Sequence, residues 1–171
     1  MKLLHMPAAL AHWDVLLAKK KGIDALVLSF WEEERPLQGV AGLADWRLHG
    51  MLSRLIGKGY CSGVSQDSIM MPAGSRLPFT RIFLLGLGPQ KQLTVPGYVM
   101  HVRRLRDVLN RAGAREYAVQ GPGRSTDDIA ARPALQAWVE EAAPEKGNPA
   151  EERVHWLEPE GIAKELGDLF S

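Results

Sequence analysis

The stretch GPGRSTDD, residues 121–128, packs two glycines, an arginine and two hydroxyls into a short span. Such a loop offers free backbone amides and a guanidinium, the groups that cradle a phosphate. The sequence also predicts a helix start just after it, where unpaired amides and the helix dipole attract anions. Gly121, Gly123, Arg124, Ser125 and Thr126 are therefore the candidate ligand-binding residues. A competing reading uses the same residues structurally. Ser125 or Thr126 is suited to cap that helix, and Asp127 and Asp128 already supply the negative charge its start favours. Those carboxylates repel a phosphate, so capping is the stronger expectation.

A second pair of glycines, Gly86 and Gly88, ends the apolar run RIFLLGLG at 81–88. No G-x-G-x-x-G follows, and the next helix is expected only near Thr94. A dinucleotide fingerprint needs glycines that open the helix directly, so these are expected to turn the chain. The histidines His5, His12, His49, His101 and His155 show no metal-ligand spacing. Glu32, Glu33 and Glu34 are expected as a solvated strand end, no G-x-S-x-G surrounds a serine, and Cys61 has no identifiable partner. No catalytic residue, metal ligand or cofactor is expected.

Composition narrows the classes further. The chain has 171 residues and a formal net charge of +1, so no overall field recruits nucleic acid or an anionic membrane. A single cysteine excludes an intrachain disulfide and points to a reducing compartment. No window reaches the roughly 20 apolar residues of a membrane span. His5, Pro7, His12 and Asp14 break up the start of the chain as a secretory signal. A cytoplasmic protein with one domain over 1–171 is expected.

The elements that position these residues read as follows. Short strands are expected at 2–6, 68–72, 116–121 and 153–157, and longer apolar ones at 23–31 and 81–88. The run IDALVLSFW is nearly continuous apolar sequence, as in a strand buried on both faces. A first helix is expected near 14–20. The segment 37–56 reads as one helix with a single stripe of Leu37, Val40, Ala41, Ala44, Leu48, Met51, Leu52 and Leu55. A helix over 94–112 should turn Tyr98, Val102, Leu105 and Leu109 inward. After the 121–128 loop comes a helix that Pro133 interrupts or restarts, then a polar loop at 143–152 and a closing helix at 159–170. Strands alternating with helices argue for a layered α/β fold with a mostly parallel sheet.

The succession DALVLSFWEEERPLQGVAGLADWRLHGMLSRLIGKGYCSG and then MMPAGSRLPFTRIFLLGLG resembles the amino-terminal domain of the leucyl aminopeptidase family. The resemblance rests on a D-A-L-V strand, a small-residue helix, a K-G-x-x-x-G region and a strand ending in G-L-G. It implies a three-layer α/β/α, macro-domain-like fold with a mixed, mostly parallel sheet. Members of that family carry catalysis in a second domain that holds two metal ions and a motif of the N-T-D-A-E-G-R type. That motif is absent here; GNPAEER at 147–153 lacks its N-T-D core. No catalytic or metal-binding position carries over, and aminopeptidase activity is not expected.

The expected role is therefore assembly, regulation or partner binding, with a second copy or a separate catalytic aminopeptidase chain as partner. The alternative is a macro-type module for ADP-ribose or another nucleotide. On a helical wheel Trp46 falls opposite the apolar stripe, with Leu43 and Arg47 beside it. Tryptophan and arginine are enriched at interface centres, so Leu43, Trp46 and Arg47 are the candidate interface residues. The competing expectation is that Trp46 packs within its own chain.

Overall fold

A computed structural model of the chain describes residues 1–143 and 151–171. The expected polar loop and the GNPAEER stretch fall largely outside the described residues. In chain order the elements are β1 (Lys2–Pro7), α1 (Leu10–Ala18), β2 (Ile23–Phe30), α2 (Gly39–Arg47), α3 (Met51–Gly57), β3 (Ser68–Pro72) and β4 (Phe79–Gly86). There follow α4 (Val95–Arg111), β5 (Glu116–Val119), a 3-10 turn (Arg124–Thr126), α5 (Ala131–Glu141), β6 (Arg153–Glu158), α6 (Glu160–Glu165) and a last 3-10 turn (Gly167–Leu169).

The six strands form one sheet in the order β1-β6-β5-β2-β4-β3. Only the β3–β4 pair is antiparallel; the others run parallel. Side chains alternate across a strand, and both faces of this sheet are covered. Ala25 and Val27 of β2 join Phe83 and Leu85 of β4 under α4 and α5. Leu26, Leu28 and Phe30 join Ile82 and Leu84 under α1, α2 and α3. Two apolar faces explain the unbroken apolar run at 23–31 and give the expected α/β/α layering. Tryptophans fill both layers: Trp13 lies on the α1 side and Trp138 and Trp156 on the α5 side, all at 0% exposure. Burial of a large apolar side chain contributes about 1.5–3 kcal/mol, so these rings weigh heavily in holding the layers together.

Helix α4 runs as expected. Thr94 caps it by accepting from the Gly97 amide at 3.2 Å, and Tyr98, Val102, Leu105 and Leu109 are buried. The predicted single helix over 37–56 is instead two. His49 (φ 57°) and Gly50 (φ 77°) adopt left-handed backbone just after Leu48, the C-cap of α2. Both helices still lie on the same core, which kept the apolar period running across the break. Leu52 and Ile56 continue the buried stripe, whereas Met51 is exposed and Leu55 half-buried.

Pro133 neither interrupts nor restarts a helix. It sits in the first turn of α5, where an amide has no intrahelical partner to lose. The first helix begins at Leu10, earlier than its sequence predicts, and the closing helix divides into α6 and a 3-10 turn. Among the described residues, no helix is long and apolar enough to cross a membrane.

Candidate functional site

Open α/β sheets bind ligands beyond the carboxyl ends of the strands, where the strand order reverses. Here that point lies between β2 and β5: the chain leaves β2 for β4 on one side and reaches β5 on the other. The candidate loop 121–126 sits there, and the structure brings all five of its predicted residues together. The side chains of Arg124, Ser125 and Thr126, however, face protein partners. The Arg124 guanidinium is buried and donates from Nε to Glu158 Oε1 at 2.8 Å and from Nη1 to the Ile129 carbonyl at 2.7 Å. Asp127 closes on the same Nη1 at 2.8 Å. Ser125 Oγ donates to Glu34 Oε1 at 2.9 Å. Thr126 hydrogen-bonds Asp128, and the buried Trp31 indole donates to Asp128 Oδ2 at 2.9 Å and to Thr126 Oγ1 at 3.0 Å.

Neither Ser125 nor Thr126 caps an α-helix, which is the correction to their expected role. The 3-10 turn carrying them is flanked by left-handed Gly123 and Asp127, and α5 begins only at Ala131 with no side-chain cap. The glycines serve close approach. A Cβ on Gly121 would lie 2.6 Å from the Trp156 ring and 2.9 Å from Tyr98 Oη. Gly39, which opens α2, meets the loop from the other side: its Cβ would lie 2.4 Å from Gln120 Oε1 and 2.9 Å from Ser125 Cβ. Gln120 Oε1 in turn accepts the Val40 amide at 3.0 Å. The start of α2 is thus laid directly onto the loop.

Glu34 is the residue that sequence reading missed. It is buried at 4% exposure, and its Oε2 has no hydrogen-bond partner. Burial pushes its carboxyl up to about 7, against the lowering effect of the Ser125 hydroxyl, the Gln38 amide and Arg35. The acidic run at 32–34 is therefore not simply solvated. Glu33 is also engaged, accepting the Gln90 amide at 2.8 Å.

The turn after β4 is tightly walled. A Cβ on Gly86 would lie 2.2 Å from the Val64 carbonyl oxygen, and Gly88 has φ 86°. These glycines turn the chain against the 63–65 segment. Cys61 is fully buried and burial pushes its thiol up, the opposite of what a nucleophile needs. Among the described residues no three His, Cys, Asp or Glu side chains are grouped to hold a metal.

The outer face of α2 is open instead. Val40, Ala41 and Ala44 are buried against the sheet, and Trp46 projects the other way at 72% exposure. Leu43 is half-buried against the core, while Arg47 pairs with Asp14 at 2.6 Å. Beside Trp46 opens a groove of about 800 Å³, lined among others by Pro36, Leu37, Arg47, His49 and Arg76. The helix break shapes it, because left-handed His49 and Gly50 turn the chain there and set His49 against Arg76 at 2.7 Å. Of the three predicted interface residues, Trp46 and Arg47 line this groove, whereas Leu43 packs toward the core; Arg76 was not foreseen.

No protein-family model matches the chain. Over 98 residues it is 28% identical to a probable cytosol aminopeptidase of Glaesserella parasuis, a match covering 57% of this chain and 20% of that protein. The chain thus spans about a fifth of the curated relative it matches, in its amino-terminal part. A mutant tomato leucine aminopeptidase superposes with a TM-score of 0.60 at 18% identity, covering 99% of this chain and 35% of that one. The Trypanosoma brucei macrodomain in complex with ADP superposes with a TM-score of 0.73 at 11% identity, covering 98% and 68%. In fold over its length, and in sequence over 57% of it, the chain is similar to the macro-domain-like amino-terminal domain of the leucyl aminopeptidases.

Proposed function

We propose that the chain is a binding and assembly module that docks a protein on the outer face of α2 and carries no aminopeptidase chemistry. The partner is a second copy of the chain or a separate catalytic aminopeptidase chain. One observation carries the reading. Of the five tryptophans, four are fully buried and Trp46 is 72% exposed beside an open groove. A tryptophan beside Arg47 and Leu37 has the make-up of an interface anchor. At the strand ends, by contrast, Glu34, Gln120, Arg124 and Ser125 are hydrogen-bonded to protein partners.

A second reading, a nucleotide-binding module, is favoured by the likeness to a macrodomain solved with ADP and by the place of loop 121–126 at the strand ends. The two separate in one set of measurements. Trp46→Ala is expected to leave stability within about 0.5 kcal/mol of the parent, as exposed positions do. It should abolish self-association in sedimentation, or capture of the catalytic chain. ADP-ribose should bind no tighter than about millimolar in calorimetry, about −4 kcal/mol. Micromolar binding with intact association of Trp46→Ala would replace the docking reading with the nucleotide one.

A further inference from the structure

Segment 31–40, which carries the chain from β2 into α2, is joined to loop 120–128 by a short row of hydrogen bonds. The Trp31 indole donates to Thr126 Oγ1 and Asp128 Oδ2, the Ser125 hydroxyl to Glu34 Oε1, and the Val40 amide to Gln120 Oε1. Glu34 is the weak member of the row. It is 4% exposed, and its Oε2 is buried with no partner. An ionised carboxylate there keeps a charged oxygen out of water and without a donor, which costs more than a neutral unpaired group. A protonated carboxyl carries no charge and still offers Oε1 to Ser125. The charges nearby do not reverse this. Arg35 favours the ionised form, but its guanidinium donates to the Glu34 and Ser62 carbonyls at 3.0 and 3.3 Å. Arg124, in the facing turn, is engaged with Glu158 and Asp127, and Glu33 accepts the Gln90 amide. Asp128, itself buried, acts on Glu34 with like charge. Burial outweighs Ser125, the Gln38 amide and Arg35, and holds the carboxyl up at about 7.

We propose that Glu34 is a proton-controlled latch between segment 31–40 and loop 120–128, closed while its carboxyl is protonated and released, with the sheet still folded, when that proton passes to solvent. The contact is tight: a Cβ on Gly39 would lie 2.9 Å from Ser125 Cβ. Water therefore hydrates Oε2 only when the two segments part. In the parted form the carboxyl returns to its ordinary 4.5, so the closed form holds the proton more tightly. Closure is then unaffected below 4.5, weakens as pH rises, and has lost its full share above about 7. Release frees the Val40 amide at the start of α2 and the 121–126 backbone together. The latch does not depend on the docking reading above.

The test is amide hydrogen exchange of the full chain from pH 4.5 to 8, corrected for the intrinsic pH dependence of exchange. Peptides covering 34–40 and 121–128 should lose protection by on the order of a hundredfold across that range. They should exchange well before the β2 and β4 amides at pH 8, as a local opening does. Glu34→Gln keeps the acceptor and has no proton to lose, so its protection should not vary with pH. Ser125→Ala removes a hydroxyl that favours the ionised carboxyl, so the fall should continue to higher pH before levelling. A hydrogen bond of structural value alone would lower protection in that variant without moving the profile. Should Glu34→Gln fail to fold, the displacement of the Ser125→Ala profile decides by itself. Protection at 34–40 that is constant with pH in the parent, or that falls equally in Glu34→Gln, overturns the proposal. Release of 34–40 only together with the β2 and β4 amides also overturns it, because Glu34 would then act on global stability alone.

Discussion

Glu34 shows how one side chain ties the sheet to the loop that follows it. Its Oε1 accepts from Ser125 across 91 residues of sequence, while its Oε2 is buried without a partner. Burial raises its carboxyl from the ordinary 4.5 to about 7. A carboxyl raised on folding binds protons more tightly in the native state than in the unfolded one, so it makes stability fall as pH rises between those two values. Below 4.5 both states are protonated and nothing is lost; above about 7 the full loss is present. At about 1.4 kcal/mol per unit, the gap is worth on the order of 3 kcal/mol. Glu34→Gln keeps the acceptor for Ser125 and removes the titration. Urea unfolding from pH 4.5 to 8 should show the variant gaining on the parent by roughly that amount as pH rises. Parallel pH profiles would mean that Glu34 ionises freely. Nothing in EEER distinguishes its third glutamate from the first two, because its burial depends on a loop 91 residues away.

At the scale of elements, legibility followed burial. The strands 23–31 and 81–88 could be read because side chains on both faces enter a core, so their sequence is apolar almost throughout. Helix α4 was readable for the related reason that one face alone is buried. The α2–α3 break was not, since a local left-handed pair leaves the apolar period intact on either side. The structure shows what replaces the missing continuity. Asp45, near the end of α2, accepts the Ser53 amide in the first turn of α3 and so supplies the cap that Gly50 lacks. Asp45→Ala should then cost about 1 kcal/mol, the usual worth of a helix cap, with a matching drop in the denaturant midpoint. An unchanged midpoint would show that α3 is held by Leu52 and Ile56 packing alone.

For the whole molecule, the two predicted sites differ in how far their surroundings depend on distant residues. The wheel could place Trp46 outward, because that follows from helical geometry alone. Whether loop 121–126 was open depended on what the remote segment 34–40 did, and that segment folds onto it through Glu34, Gly39 and Val40. The groove likewise needed Arg76, brought to His49 from 27 residues away. The docking proposal rests on Trp46, exposed on the surface of α2. Trp46 reports on that surface by itself, since Trp13, Trp31, Trp138 and Trp156 are all at 0% exposure. The direct measurement is acrylamide quenching of tryptophan fluorescence, with rising concentrations of the chain alone and with a separate catalytic aminopeptidase chain added. The docking reading predicts a quenchable fraction in the dilute chain that shrinks in at least one of these titrations and is missing in Trp46→Ala. A Trp46 that stays equally quenchable in both would contradict it.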